Sequence, residues 1–223
     1  MDGEGMGRDE PAPKPDCVTI CTLLWDANDK SFSFSRIYDE SWVEKLYRGF
    51  QRNLTVPFRF VCFTDRHRRF KEPIEQEPIW AEGEIGYDAC TQPFRLDVPM
   101  ILTGLDTVVV GNCDALAAYC MTAKTVAVPR DPFAPYRACN GVVLCPGGKK
   151  AEFFDDHDGE NDMDWIRLNE HAFIDDLFPK AVVSFKGYTQ HFGIEDETAI
   201  VYFHGEDKPH QLGRLDWVQE HWR

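Results

Sequence analysis

The sequence has no long apolar run, because no stretch approaches the roughly 20 consecutive apolar residues that a helix needs to cross a bilayer. It has no Cys-x-x-Cys pair and no Cys/His grouping with zinc-finger spacing, which argues against a structural zinc site. Positive charge is scarce, with 24 Lys and Arg against 38 Asp and Glu and a formal net charge of −14. This balance excludes general electrostatic attraction to nucleic acid or to an anionic membrane surface, although a local basic pocket is compatible with it.

The eight cysteines do not indicate a disulfide framework. Several lie in or beside apolar runs, where cysteine serves as a small core residue in a reducing compartment: Cys17, Cys21, Cys62, Cys113 and Cys145. Residues 1–16 are charged and rich in Gly and Pro, without the apolar block of a signal peptide. We therefore expect a disordered tail at 1–16, one domain at 17–223 and a cytoplasmic location.

Apolar periodicity predicts a strand, a helix and a second strand near the start of the chain. The run 17–25 is short, apolar and partly β-branched, as in a buried strand. Residues 39–54 place apolar side chains at helical spacing behind a possible cap, Asp39. Residues 58–63 form the second strand. This order predicts a parallel pair of strands with a right-handed crossover.

The rest of the chain continues the α/β pattern after 66–92, where charges, prolines and glycines give no regular pattern and we predict no strand. Further strands are predicted at 100–102, 125–129, 141–146, 181–185 and 199–203, and helices at 115–119, 165–173 and 215–222. The helix at 165–173 is expected to bury Trp165, Leu168, Ala172 and Phe173. The acidic run 153–164 is expected to be a solvated connection rather than a metal cluster.

One carboxylate interrupts an apolar run in the segment 101–112, "ILTGLDTVVVGN". A carboxylate without a partner in a core costs several kcal/mol or shifts its pKa until it neutralises. If 100–102 is the central strand, Asp106 falls at its carboxyl end, where it can face a crevice. A turn or capping role for Asp106 is the alternative.

A second cluster of polar residues follows the predicted strand at 199–203, in "IVYFHGEDKPH". His204 can ligate a metal through a neutral ring nitrogen, Gly205 allows close approach of the backbone, and Lys208 carries a charge suited to phosphate. Carboxylate and imidazole together are plausible ligands for Mn²⁺. Alternatively, His204 is a hydrogen-bonded structural residue and Lys208 a solvated loop lysine.

Taken in order, these segments resemble the GT-A fold nucleotide-sugar glycosyltransferases, particularly glycosyltransferase family eight, which includes glycogenin and bacterial lipopolysaccharide galactosyltransferases. The resemblance covers about 18–222 and rests on the order of the motifs "TLLWD", "PFRFVCFTD", "LDTVVVGN", "NGVVLCP" and "FHGEDKPH". It implies a single-domain GT-A fold, which is a Rossmann-like, mixed but mostly parallel sheet flanked by helices. It also implies a UDP-sugar donor, Mn²⁺ or Mg²⁺, and retention of the anomeric configuration.

The resemblance also implies roles for individual residues. It assigns Asp106 and His204 to the metal, and Asn140 and Asp162 to the transferred sugar. The nucleotide would be bound by the backbone from Thr22 to Trp25, which flanks the base, by Tyr38, and by Gly205 and Lys208 at the diphosphate. Tyr38 would stack on the uracil, or else simply pack under the first helix. The chain departs from the family in having Gly104 where the first Asp of Asp-x-Asp stands, and Met163 where a Gln follows the later Asp.

We therefore expect a metal-dependent glycosyltransferase acting on an acceptor that the sequence does not define: a glycan, a lipid-linked sugar or a protein. The oligomeric state is equally undefined. Gly104 and Met163 favour an alternative, a catalytically silent module that binds a nucleotide sugar or a protein. A nucleotidyltransferase would share the sheet, but the sequence lacks a Gly- and Arg-rich nucleotide loop near its start.

Overall fold

The computed structural model describes residues 17–223, and the tail predicted to be disordered at 1–16 lies outside the described residues. Its strands are β1 (Val18–Leu24), β2 (Phe58–Thr64), β3 (Glu75–Pro78), β4 (Met100–Thr103), β5 (Thr107–Val109), β6 (Val126–Val128), β7 (Arg130–Asp131), β8 (Ala134–Ala138), β9 (Val142–Cys145), β10 (His171–Phe173), β11 (Val182–Ser184) and β12 (Ile200–Tyr202). Its α-helices are α1 (Phe32–Ser35), α2 (Glu40–Asn53), α3 (Asp114–Thr122), α4 (Asp162–Leu168), α5 (Ile174–Leu177), α6 (Gln190–Phe192) and α7 (Asp216–His221). Short 3₁₀ helices span Tyr87–Leu96 and Pro209–Gln211, and π-helical turns span Ala151–Asp155 and Phe185–Thr189.

A seven-stranded sheet in the order β10-β6-β9-β4-β1-β2-β3 forms the centre of the molecule. Strand β1 is parallel to both β2 and β4, and β9 runs antiparallel between β4 and β6. This arrangement confirms the predicted fold class, a mixed and mostly parallel sheet flanked by helices. It also confirms that β4 is the central strand, because three strands lie on each side of it.

A second sheet in the order β11-β12-β5 lies beside the first, and β7 pairs with β8 in a hairpin. Strand β12 runs parallel to β11 and antiparallel to β5. Because β5 follows β4 after only three residues, the second sheet begins where the central strand ends. The two sheets therefore meet at the carboxyl end of β4.

The strand β1 is buried over its whole length, since both faces of the central sheet are covered. Ile20 and Leu24 point into one hydrophobic cluster, and Cys21 and Leu23 point into another on the opposite face. This alternation has the period of two that a strand requires. Of the cysteines expected in the core, Cys21, Cys62, Cys113 and Cys145 are buried and Cys17 is half-buried, and all eight are free thiols.

The helix α2 forms as the sequence predicts. The Asp39 carboxylate accepts a hydrogen bond from the Ser41 amide at 2.9 Å, which satisfies one of the free amides at the helix start. One face of the helix buries Trp42, Leu46 and Phe50 against the sheet. Burying each such side chain contributes about 1.5–3 kcal/mol, so this face fixes the helix to the sheet.

The prediction of a helix at 165–173 is wrong in its boundaries, and it is wrong in counting Leu168 as a buried residue. Helix α4 ends at Leu168, which is 68% exposed, and residues 171–173 form the edge strand β10, where Ala172 and Phe173 lie. The helix starts earlier because Asn161 caps it, accepting a hydrogen bond from the Asp164 amide at 3.0 Å.

Two further segments differ from expectation. The patternless stretch 66–92 contains the edge strand β3 and the start of the 3₁₀ helix Tyr87–Leu96. The acidic connection 153–164 begins with Phe153, which is fully buried and stacks on Phe94 with ring centroids 4.8 Å apart. Both segments depend on long-range contacts, which local periodicity does not reveal.

None of the helices within residues 17–223 is both long enough and apolar enough to cross a bilayer.

Candidate active site

The register of the central sheet brings two predicted site segments to one edge of the sheet. One contains Asp106, which was assigned to the metal, and the other contains Asn140, which was assigned to the sugar. Thr103, the last residue of β4, pairs with Val142, the first residue of the antiparallel strand β9. Asp106 follows the end of β4, and Asn140 precedes the start of β9, so both lie beyond the same edge. The hydroxyl of Thr103 donates to the Gly141 carbonyl oxygen at 3.3 Å and ties the two segments together.

The register of the second sheet adds His204 to the same edge. Tyr202, the last residue of β12, pairs with Thr107, the first residue of the antiparallel strand β5. His204 lies two residues beyond Tyr202 and Asp106 directly precedes Thr107, so both lie beyond the same end of this strand pair, and the Asp106 charge influences the titration of His204. The structure therefore brings together the two residues that the sequence analysis assigned to one metal.

Asp106 is held by two partners. Its Oδ2 atom forms an ion pair with the Lys208 ammonium, and the Tyr38 hydroxyl donates to the same oxygen at 3.2 Å. The Asp106 and Lys208 side chains are only 16% and 13% exposed. Such a shielded pair is stronger than a surface salt bridge, because less water screens it.

Tyr38 contacts both the site and the first long helix. Its ring packs edge-on against Trp42, with centroids 4.8 Å apart, while its hydroxyl reaches Asp106. Burial first, and then the Asp106 charge, raise the pKa of the Tyr38 hydroxyl, so it stays protonated and acts as a donor. The predicted stacking of Tyr38 on a base stays a prediction, and the structure adds a role in orienting Asp106.

His204 is oriented by a serine that ends the neighbouring strand. Its Nε2 atom lies 2.8 Å from the Ser184 Oγ atom, which also accepts a hydrogen bond from the Gly187 amide at 3.0 Å. Burial, followed by the charges of Lys186 and Lys208, lowers the pKa of His204. The imidazole is therefore neutral near pH 7, the form that binds metals and accepts protons.

Asn140 and Asp162 form a second polar group. The Asn140 amide donates to the Asp162 Oδ2 atom, and the Cys90 thiol also bonds to this carboxylate. Burial raises the pKa of Asp162 to about 6, although the surrounding hydrogen bonds act in the opposite direction. Asp162 is thus mostly ionised at neutral pH and accepts hydrogen bonds there.

Tyr87 lies near both polar groups, that of Asp106 and that of Asn140 and Asp162. The sequence analysis missed this residue. Burial is the main cause that raises the pKa of its hydroxyl, and the negative charges of Asp162 and Asp106 add to it. Tyr87 therefore lies near both carboxylates. No local signal could have identified Tyr87 or Cys90, because both fall in the patternless segment. Ser184 could have been suspected as a polar residue at a strand end.

The remaining predicted nucleotide contacts have different surroundings. Thr22 lies inside β1 and is completely buried, and its hydroxyl has no hydrogen-bond partner among the described residues. Trp25 is 8% exposed, and its indole donates to the Ser31 hydroxyl at 3.0 Å. The Thr22 side chain thus offers no surface to a ligand, and the predicted contact of the 22–25 backbone with a base stays a prediction. Gly205 has a φ of +68°, a conformation that favours glycine.

The residues fit a divalent cation only as part of a larger ligand set. The Asp106 carboxylate is already paired with the Lys208 ammonium. When the Nε2–H group of His204 donates to Ser184, the lone pair on its Nδ1 atom is available to a metal. Gly104 supplies no second carboxylate, and a Cβ atom there would lie 2.9 Å from the Asp106 Oδ1 atom. Within residues 17–223 no three His, Cys, Asp or Glu side chains form a ready-made metal cluster. Phosphate oxygens and water would have to complete the coordination.

The described fold is that of the GT-A glycosyltransferases. It is similar to GlyE from Streptococcus pneumoniae TIGR4, with a TM-score of 0.58 and 13% identity over 92% of this chain and 63% of the GlyE chain. It is also similar to the galactosyltransferase LgtC, solved with donor and acceptor sugar analogs, with a TM-score of 0.52 and 10% identity over 86% of this chain and 89% of LgtC.

The bifunctional glycosyltransferase WbbM gives a TM-score of 0.57 and 11% identity over 96% of this chain and 52% of the WbbM chain. The chain thus spans less than two thirds of GlyE and about half of WbbM. No protein-family model matches the sequence, and a search of curated proteins gives no match. At 10–13% identity the likeness establishes the fold, and the activity has to be inferred from the site.

Proposed function

We propose that this protein is a hexosyltransferase that moves a sugar from a nucleotide-diphosphate donor, most simply a UDP-sugar, to a hydroxyl acceptor. The observation that carries the proposal is the convergence of Asp106, His204 and Lys208 with Asn140 and Asp162 at one edge of a GT-A sheet. The convergence supports this function because ligands of open α/β sheets bind beyond the carboxyl ends of their strands. LgtC, which has this fold, was solved with donor and acceptor sugar analogs.

Lys208 would bind the diphosphate and stabilise it as it leaves. Its ammonium lies in a shielded position, where a charge interacts more strongly with developing negative charge than it would in water. Gly205, which has a φ of +68°, lies three residues before Lys208 in the same loop. As the diphosphate departs, the bond between the sugar carbon and the phosphate oxygen breaks, the acceptor hydroxyl oxygen bonds to that carbon, and the hydroxyl proton passes to the departing diphosphate.

Asn140 and Asp162 would hold the sugar itself. The ionised Asp162 carboxylate accepts hydrogen bonds from sugar hydroxyls, and Asn140 keeps it in place. We further propose retention of the anomeric configuration, as the family resemblance implies, and we assign no catalytic base. A bound Mn²⁺ or Mg²⁺ would be held by Asp106 and His204 and would neutralise diphosphate charge.

The test is UDP release from a panel of UDP-sugars with Mn²⁺ and a crude glycan acceptor mixture. We expect release by the unmodified chain, and a loss of at least about a hundredfold in Asp106→Ala and His204→Ala. Asp158→Ala and His191→Ala are the matched controls, because both side chains are exposed and neither contacts the site. Failure to release UDP with every donor and acceptor would contradict the proposal.

A silent binding module is the second candidate, and two observations favour it. Because position 104 is a glycine, Asp106 is the single carboxylate at the position of the family's Asp-x-Asp motif. The partly buried Met163 follows Asp162, where the family has a glutamine amide. The same assay separates the two functions when UDP binding is measured alongside release. Binding of UDP without turnover of any donor would support the module.

A further inference from the structure

Asp106 and Lys208 neutralise each other in the described structure. The ammonium of Lys208 and the Oδ2 atom of Asp106 form an ion pair that is largely shielded from solvent. The Tyr38 hydroxyl donates to the same oxygen, so both of these partners act on one carboxylate atom. The remaining oxygen, Oδ1, faces Gly104, where no side chain competes for it.

The proposed function requires both members of this pair to have other partners. The ammonium of Lys208 is expected to contact the diphosphate, whereas the carboxylate of Asp106 is expected to contact a divalent cation. An ammonium that compensates Asp106 also repels a cation approaching the same carboxylate, since like charges a few ångströms apart disfavour each other. The pair therefore competes with the cation for Asp106.

We propose that the Asp106–Lys208 ion pair is exchanged when the donor binds. Lys208 leaves Asp106 for the diphosphate, and the divalent cation takes the position on Asp106, so that the cation binds tightly only together with a nucleoside diphosphate. This inference rests on the proposed function for the identity of the ligand. After the exchange, the divalent cation is the positive partner of the Asp106 carboxylate, and the negatively charged diphosphate is the partner of the Lys208 ammonium.

The loop around Lys208 allows the side chain to change partners while the backbone stays in place. The Lys208 amide donates to the Gln211 side chain at 3.0 Å, and Pro209 starts the 3₁₀ turn that follows. The exchange therefore involves the four-carbon Lys208 side chain, which is flexible.

The other charges that face the site stay paired in this scheme. Lys186 forms an ion pair with Asp207 at 3.3 Å, and Asp131 lies near enough to His204 to influence its titration. Neither Lys186 nor Asp131 contacts Asp106 directly in the structure. Lys186 thus offers a matched control, since its removal changes the local charge by the same amount without freeing the Asp106 carboxylate.

The experiment is calorimetric titration of the full chain with Mn²⁺, with and without saturating UDP, after subtracting the binding of Mn²⁺ to UDP alone. For the unmodified chain we expect UDP to raise the Mn²⁺ affinity by roughly tenfold or more, a size usual for coupling between two ligands. By reciprocity, Mn²⁺ should raise the UDP affinity by the same factor.

Three variants test whether the coupling between Mn²⁺ and UDP arises from the Asp106–Lys208 ion pair. Lys208→Met should bind Mn²⁺ more tightly than the unmodified chain when UDP is absent, so the factor by which UDP raises the Mn²⁺ affinity should be smaller than in the unmodified chain. Lys186→Met should keep the full response, whereas Asp106→Asn should bind Mn²⁺ weakly with or without UDP. Circular dichroism of each variant verifies that it is folded.

Equal Mn²⁺ affinity with and without UDP would overturn the inference, as would a Lys208→Met variant that behaves like the unmodified chain. Binding of UDP without any binding of Mn²⁺ would also overturn it, because Lys208 would then stay on Asp106. The measurement needs no sugar transfer. A coupled but inactive protein would therefore contradict the proposed function and leave the exchange intact.

Discussion

At the scale of single residues, the carboxylate of Asp106 is tolerated among apolar neighbours because other residues compensate it. A buried carboxylate without partners would lower the free energy of unfolding or would take up a proton. The carboxylate of Asp106 instead has an ammonium and a phenol as partners on one oxygen. Lys208 lies 102 positions further along the chain, so the pairing is a product of the fold. The sequence identified both residues, but it assigned them to different ligands and did not predict their direct contact.

Asp162 gives a prediction about stability and pH. Burial raises the pKa of this carboxyl from 3.8 to about 6, so the native state holds its proton more tightly than the unfolded chain does. The unfolding free energy should therefore fall as the pH rises from about 4 to about 6, by up to about 3 kcal/mol from this group. The fall tails off above pH 6 and ends near pH 7, where the native carboxyl is almost fully ionised.

Asp162→Asn removes the titrating group while keeping an acceptor for Asn140. The difference in unfolding free energy between Asp162→Asn and the unmodified chain should grow in favour of the variant between pH 4 and pH 6, and then level off. Urea denaturation at several pH values measures it. A difference that is independent of pH would show that Asp162 has an ordinary pKa.

At the scale of elements, the second sheet positions His204, and the pairing of its strands β5 and β12 depends on a close backbone approach. Gly111 follows β5, and its amide donates to the Ala199 carbonyl oxygen at 3.1 Å. A Cβ atom on Gly111 would lie 2.3 Å from the Thr198 carbonyl oxygen. A glycine at this position therefore lets the segment before β12 lie against the end of β5.

Gly111→Ala should lower the unfolding free energy by about 1–3 kcal/mol, because the backbone must shift to remove the overlap. The same shift should move His204 and weaken UDP binding. Chemical denaturation and a UDP titration measure the two effects. Gly213→Ala is the control, since a Cβ atom there meets no heavy atom within 4 Å. Equal stability of the two variants would contradict the expected overlap.

The elements that the sequence predicted well carry their information locally. Helix α2 has both a cap and an apolar stripe, and β1 and β2 are apolar along most of their length. Strand β10 is different, because it is a three-residue edge strand that pairs only with β6. Its apolar residues continue the helical spacing of α4 by coincidence, so periodicity alone extended the helix too far.

At the scale of the whole molecule, an aromatic cluster joins the end of the described chain to its first long helix and to the loop of Lys208. The Trp222 ring packs on Trp42 with centroids 4.9 Å apart, and the Lys45 ammonium lies 3.5 Å from the Trp222 ring centroid. Trp42 also contacts the His210 ring at 5.3 Å, two residues after Lys208. The cluster therefore couples the position of the Lys208 loop to the packing around Trp222.

Trp222→Ala should lower the unfolding free energy by about 2 kcal/mol, less than for a fully buried tryptophan because Trp222 is only half-buried. It should also weaken UDP binding, since the loop with Lys208 loses support through Trp42 and His210. Thermal unfolding and a UDP titration measure these effects. Trp222→Phe, which keeps an aromatic ring, should recover most of both. Unchanged UDP affinity in Trp222→Ala would show that the cluster is only structural.

The sequence by itself determined the alternation of strands and helices, the central position of β4, and six of the polar residues that meet at its carboxyl edge: Tyr38, Asp106, Asn140, Asp162, His204 and Lys208. The elements and Asp106, His204 and Lys208 are encoded locally, by apolar periodicity and by polar residues at strand ends, whereas Tyr38, Asn140 and Asp162 were assigned through the family resemblance. Only the tertiary structure decided that Asp106 pairs with Lys208, that Ser184 orients His204, and that Tyr87 and Cys90 join the site. Those contacts link residues far apart in the chain, and their geometry is set by strand register and by the packing of one sheet beside the other.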